Sequence, residues 1–323
     1  MRIAVFDLGS TSFHALVVDV DARGRLERVL RSRETLHLAH ASARNGGHVP
    51  EDAAFQALRA VRSLRKDAER TGPDVVVASA TSALRDATNG DHLIERLEVA
   101  LRHPIRVLDG DEEAELAYLG ATSGLGILDE DVLVADLGGG SLEIAVGRGP
   151  NVDLTATFPL GASRMTALHV SNDPPHLIEL EAVERAVSDA CGDLFATVRS
   201  RGPMRCVVAG GTGRAVARLL AANRPSDHIA GGPGVSPGLN GMIVPNAELH
   251  ALSRRLASLN RDERIALGIQ AKRVDVLPAG ALILSCVAEG LDTGSLEVSE
   301  WGLREGLLLE AAERFGRPMP AAR

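Results

Sequence analysis

Apolar positions along the chain fall into two recurring patterns: short runs bounded by glycine or polar residues, and longer stretches of helical period. Runs at 3–6, 13–20, 75–78 and 105–108 predict strands, and the periodicity of 51–71 and 91–102 predicts amphipathic helices. Asp109-Gly110-Asp111 reads as a turn and N-cap for a helix that starts near Glu112. Strands that alternate with helices predict an α/β sheet. The small, glycine-rich segment 121–126 marks a junction, and beyond it the pattern starts again. Strands are expected at 132–135, 142–146 and 206–209, a long helix at about 178–200, and a glycine turn at Gly210-Gly211-Thr212-Gly213 that opens a helix. The Gly/Pro-rich stretch 223–245 predicts a loop. Helices near 246–257, 261–268 and 277–290, a strand at 295–299 and a last helix at 303–315 complete the reading.

Two glycine-rich turns stand out because the same local pattern occurs twice. Asp7-Leu8-Gly9-Ser10-Thr11 follows one strand and precedes another, and Asp136-Leu137-Gly138-Gly139-Gly140-Ser141 does the same. Glycine lets such a turn gather consecutive backbone N–H groups on one side, where they can hold phosphate oxygens. An aspartate at the strand end can reach a divalent cation that neutralises those oxygens. One turn of this kind is ordinary hairpin chemistry. Two imply a duplicated unit with a phosphate site between the halves.

Composition narrows the class. At 323 residues and 45% hydrophobic content, the chain can build two cores. No apolar run approaches the length of a membrane span, and because the chain enters a strand at once no signal peptide is expected. Cys191, Cys206 and Cys286 are scattered and read as reduced thiols of a cytoplasmic protein. A net charge of −8 argues against nucleic acid as a partner, and 2% aromatics leaves few rings for base stacking. Attraction for a polyanion must then be local, from a metal ion, backbone amides and a few arginines.

Three places carry further candidate chemistry. Glu112, Glu113 and Glu115 sit at a helix start, where carboxylates also simply complement the helix dipole. A carboxylate there, aimed into a cleft, can orient or deprotonate a water that attacks phosphorus. Neighbours on a helix diverge by about 100°, so only one of Glu112 and Glu113 can face it squarely. Arg85, in the loop Thr81–Asp86, can grip a phosphate or pair with Asp86 or Glu95. Glu143 can join Asp136 at a cation across the second hairpin, or face outward from its strand, and Gly210-Gly211-Thr212 can contact phosphate at a helix N-terminus or merely close a strand. His37, His40 and His48 lack partners at metal-binding spacing, and His37 alternates with apolar neighbours as a strand residue does. Serine-triad, Walker-type and zincin motifs do not occur.

These segments, in one order, resemble the exopolyphosphatase / guanosine pentaphosphate phosphatase family. The resemblance runs through Asp7–His14, Ala80–Asp86, Gly110–Ala114, Asp136–Glu143, Asp275–Ala281 and Val298–Leu307, which is essentially the whole chain. It implies an actin-like α/β fold, with two ribonuclease-H-like domains flanking a cleft: 1–124, joined by the C-terminal helix 303–316, and 125–302. It implies Glu113 as the residue acting on the hydrolytic water and Arg85 as the phosphate-gripping arginine. It further implies Mg²⁺ near Asp136 and Glu143, a short two-domain form and a homodimer. Two positions depart from the family pattern: Thr11 stands where asparagine is usual, and Leu142 where threonine is common.

The reading that joins these features is Mg²⁺-dependent release of terminal phosphate from linear polyphosphate. Ser10, Thr11, Ser12, Gly138, Gly139, Gly140, Ser141, Gly210, Gly211 and Thr212 are expected to hold phosphate, with Asp7, Asp136 and Glu143 toward the metal. Hydrolysis of guanosine pentaphosphate is the nearest alternative. An actin-like kinase and a non-catalytic polyphosphate or nucleotide sensor are the others.

Overall fold

Each glycine turn closes a hairpin whose strands are buried on both faces, and each hairpin seeds one sheet. The structure, a computed structural model, describes residues 1–222 and 238–316. The first half comprises β1 (Arg2–Leu8), β2 (Ser12–Val20), β3 (Leu26–Thr35), α1 (Leu38–Arg44), α2 (Glu51–Glu69), β4 (Val75–Ala80), α3 (Ser82–Arg85), α4 (Gly90–Leu101), β5 (Arg106–Val107) and α5 (Gly110–Leu125). The second comprises β6 (Asp131–Leu137), β7 (Leu142–Arg148), β8 (Asn151–Phe158), α6 (Ala162–His169), α7 (Leu177–Ser200), β9 (Arg205–Ala209), α8 (Gly210–Ala222), β10 (Met242–Pro245), α9 (Asn246–Ser258), α10 (Arg261–Ala266), α11 (Leu277–Gly290) and β11 (Ser295–Val298). The helix α12 (Leu303–Phe315) follows.

The sheets repeat one topology. The first has the order β3-β2-β1-β4-β5, and the second β10-β11-β9-β6-β7-β8. In both, three antiparallel strands in sequence are followed by strands running parallel to the first of them. This is the ribonuclease-H-like order in duplicate, with β10 added at one edge, and it gives the mixed α/β, actin-like fold.

Two helices fill the space between the sheets. α12 packs Leu307, Leu308, Ala311 and Ala312 against Ile3, Val5, Leu16 and Val18 of the first sheet. α5 packs Ala114, Tyr118 and Ala121 against Val132, Val134, Ala145 and Val207 of the second. The two helices touch closely, because a methyl group at Gly306 would overlap the Leu116 carbonyl. Segment 121–126 is the last turn of α5, ended by Gly126 at φ 67°.

Four sequence expectations need correction. His37 is not a strand residue: it takes a left-handed φ of 57° as the cap of α1. Segment 81–86 is not a loop, because Ser82–Arg85 form one helical turn. Within 223–245, Met242–Pro245 is an edge strand paired with β11, while 223–237 lies outside the described residues. The strands β3 and β8 had no counterpart in the apolar pattern. Both are edge strands, and charged or polar residues occupy much of their length. Among the described residues no helix is long and apolar enough to cross a membrane, and all three cysteines are free thiols.

Candidate active site

A cavity of about 540 Å³ lies between the two glycine turns. Asp7, Ser10, Thr11, Ser12, Glu113, Asp136, Gly138, Gly139, Ser141, Glu143, Gly210, Gly211 and Thr212 all line it. Gly140 and Arg85 do not.

Short helices brace both turns. The Thr11 carbonyl accepts the N–H groups of Leu36 (2.9 Å) and His37 (3.0 Å), and the Ser10 carbonyl accepts that of Ala39 (3.0 Å). In the second turn, the Gly138 carbonyl accepts from Ala162 (3.1 Å), and the Gly139 carbonyl from Ser163 and Arg164 (both 3.0 Å). The carbonyls thus serve amides just before and at the start of α1 and the first amides of α6, which would otherwise lack partners. Among the described residues, the N–H groups of Ser10, Thr11, Gly139 and Gly140 donate to no protein acceptor, and those of Ser10, Thr11 and Gly139, which line the cavity, remain available to an anion.

The turns also meet each other. Thr11 Oγ1 lies 3.1 Å from Ser163 Oγ across the cleft. A methyl group at Gly139 would overlap the Thr11 hydroxyl, and one at Gly140 would meet the hydroxyls of Ser10 and Ser82. Ser10 Oγ is held by Ser82 Oγ at 2.9 Å and by the Ala83 N–H at 3.2 Å. Only glycine permits this approach.

Strand register sets two rows of side chains above the cavity. In the first sheet Asp7 opposes His14, which opposes Arg33. At the equivalent places of the second, Asp136 opposes Glu143, which opposes Thr157. Directly opposed residues share a face, so each row is contiguous. The duplicated hairpins have therefore diverged into a basic row and an acidic row. Thr157 Oγ1 donates to Glu143 at 3.1 Å.

Burial raises the proton affinity of the acidic pole. Asp7 is pushed up to about 6 by burial, against the pull of Arg304 and with Glu305 and Asp136 adding to the rise. Asp136 is raised by burial, with Arg214 and the Leu303 N–H acting the other way. Glu143 is pushed up to about 7 by burial, opposed by the Ser141 hydroxyl and aided by Asp136. Glu113 is only 4% exposed and is raised by burial and by Glu143, while Arg85 pulls against both. Its neighbour Glu112 turns outward to close the capping box of α5 with Asp109 and to pair with Arg106 at 2.6 Å.

Arg85 takes up a place behind Glu113. Nη1 donates to the Glu113 carboxylate and to the Leu108 carbonyl (2.8 Å), and Nε donates to Asp86 (3.2 Å). Both pairings thus occur together, the ion pair with Asp86 and a contact to the candidate base, while Glu95 faces His92 instead.

The sequence reading missed the basic wall. Arg31 and Arg33 from β3, Arg214 and Arg218 from α8, Lys272, Arg273 and Arg304 also line the cavity. Arg31, Arg33, Arg218, Lys272 and Arg273 have no hydrogen-bond or ion-pair partner for their side chains among the described residues. Arg273 is lowered to about 9 by burial and by Arg33, Arg214 and Arg218. Its guanidinium lies over Gly211 at the start of α8. His14 is held well below its ordinary value by burial and by Arg304, Arg33, Arg214 and Arg31, and its Nε2 meets Ser12 Oγ at 3.1 Å. Spacing held the signal: residues two apart on a strand, or four apart on a helix, share a face.

Among the described residues no three His, Cys, Asp or Glu side chains form a metal cage of their own. The acidic pole nonetheless offers only oxygen donors, in the pairing Asp136–Glu143. Mg²⁺ is commonly bound by one or two carboxylates completed by water and substrate phosphate, so this donor set fits it.

The chain matches the model of the Ppx/GppA phosphatase family over residues 16–315. It is 31% identical over 312 residues to exopolyphosphatase 1 of Mycobacterium tuberculosis, covering 96% of this chain and 88% of that one. The corresponding protein of Mycobacterium leprae is 30% identical, with 96% and 89% covered. Among solved structures, an exopolyphosphatase from Cytophaga hutchinsonii superposes with a TM-score of 0.87 at 22% identity, covering 97% of this chain and 98% of that one. The Aquifex aeolicus member of the Ppx/GppA family gives 0.78 at 24% identity, with 98% and 99% covered.

Proposed function

The chain belongs to the Ppx/GppA phosphatase family, and from that premise we propose that it is an exopolyphosphatase, which releases terminal orthophosphate from linear inorganic polyphosphate. One observation carries the choice of substrate. The cavity joins an acidic reaction pole to a wall of unpaired cationic side chains, and among the described residues no Phe, Tyr or Trp lines it. Such a wall suits a long, uniform polyanion without a base to stack.

In this reading the terminal phosphates lie on the free amide of Gly139, with the Ser10, Thr11 and Ser141 hydroxyls beside it. Glu113 orients the water in line with the departing chain and accepts its proton. Arg85, outside the cavity lining, holds Glu113 in place from behind rather than gripping phosphate itself. Asp136 and Glu143, with Asp7 nearby, would hold Mg²⁺, which when bound supplies positive charge against the phosphoryl oxygens. Arg33, Arg214 and Arg273 receive the rest of the chain.

The test is phosphate release by the purified protein with Mg²⁺, comparing polyphosphate of several lengths, guanosine pentaphosphate and ATP. Preference for polyphosphate is expected. Release from the guanosine nucleotide alone would move the substrate to the other branch of the family, and transfer from ATP to an acceptor would replace hydrolysis altogether.

A further inference from the structure

Glu113 lies in the first half of the molecule, yet a line of charged contacts ties it to the second. Arg164 Nη2 donates to Asp86 Oδ2 at 2.6 Å. The other Asp86 oxygen accepts from Arg85 Nε at 3.2 Å, and Arg85 Nη1 reaches Glu113. Asp86 thus bridges two guanidiniums, one from each half. Arg164 is itself fixed by the second glycine turn, because its N–H donates to the Gly139 carbonyl at 3.0 Å. Ser163, one residue earlier, makes the hydroxyl contact with Thr11.

An isolated exposed ion pair would carry little weight, since water and salt screen it. This one differs in two respects. The side chains of Arg164 and Arg85 are only 21% and 22% exposed on either side of an Asp86 that is 36% exposed, and the line ends on a carboxylate that is 5% exposed. It also begins at the loop proposed to hold phosphate. We propose that Arg164 is a positioning residue for the hydrolysis described above. Acting through Asp86, it fixes Arg85 against Glu113, so the reacting end is assembled only when the second glycine turn and α6 sit against the first half. The inference rests on the reading of Glu113 as the residue that orients the water.

A double-mutant cycle tests it. Arg164→Gln and Asp86→Asn are each expected to lower kcat roughly 10- to 100-fold, the scale of a misplaced catalytic group, with KM for polyphosphate within about threefold. The double variant is expected to lose no more than the worse single variant. Arg164→Lys, which keeps the charge, should recover part of the loss. Singles within twofold of wild type, or losses that multiply in the double variant, would overturn the proposal.

A second readout does not depend on activity. In protein labelled at arginine, the Arg85 Nε–H resonance, assigned with Arg85→Lys, should exchange with solvent at least about tenfold faster in Arg164→Gln. Unchanged exchange would overturn the positioning role even if the wild-type protein hydrolysed another substrate. Faster exchange in a protein inactive on polyphosphate would keep the relay and refute only the assigned activity.

Discussion

Replacing Glu143 with glutamine should remove most of one specific pH dependence of stability from the metal-free protein. An unfolded glutamate ionises near 4.5, whereas burial keeps a proton on folded Glu143 up to about 7. Between those values the folded state binds more protons than the unfolded one, so stability falls as pH rises. The contribution is fully present below the unfolded value and is lost as pH passes the folded one. The gap is worth roughly 2–4 kcal/mol, most of which disappears between pH 5 and pH 8. For a chain of this size that is a drop in Tm of roughly 4–8 °C, depending on whether the halves melt together. The substituted amide would still offer an oxygen to Thr157 but could not ionise. Asp7 and Glu113 are raised in the same direction, so wild type should lose more than the Glu143 share alone. Calorimetric melts in chelator at pH 5, 6.5 and 8 would measure both proteins. Equal slopes for wild type and Glu143→Gln, or a wild type more stable at pH 8 than at pH 5, would refute the picture of a crowded, buried carboxylate pole.

Other outcomes follow from the same geometry. Arg273→Ala should raise KM for long polyphosphate by roughly 10- to 100-fold, the scale of a charged hydrogen bond. It should also raise Tm of the unliganded protein, since it removes a buried cation that has no partner among the described residues; steady-state kinetics and melting report the two effects. Gly139→Ala should drive a methyl into Thr11, cost about 1–3 kcal/mol of stability and lower kcat/KM at least tenfold. Thr11→Ala in the same protein should restore part of that loss. Chelation with EDTA should abolish phosphate release and added Mg²⁺ should return it; a metal-independent rate would remove the roles given to Asp136 and Glu143.

The parts of the fold that were legible in the sequence are those buried on both faces. β1, β2, β6 and β7 announce themselves as apolar runs, and the repeated Asp-Leu-Gly turn pointed to a candidate site between two similar halves, where the cavity lies. Glu112 and Glu113 could be separated in principle, because adjacent helical residues diverge; the capping box with Asp109 decides which one turns outward. The edge strands were not legible, since Arg31, Arg33 and Glu34 on β3 look like loop residues until the pairing with β2 is known. For that reason the part of the basic wall that β3 supplies was missed as well. His37 misled because its left-handed conformation comes from the Thr11 carbonyl and α1, contacts that no local pattern encodes. The contact of Arg164 with Asp86 joins residues far apart in the chain and carries no periodicity of its own.

The central claim is that Glu113 orients and deprotonates the attacking water, and one comparison tests it most directly. The kcat for orthophosphate release from polyphosphate would be measured for wild type and for Glu113→Gln, with polyphosphate affinity and Tm measured on both. A loss of about 10²–10⁴ in kcat with binding retained is the expected result. A loss of less than tenfold in a folded variant that still binds polyphosphate would contradict the claim.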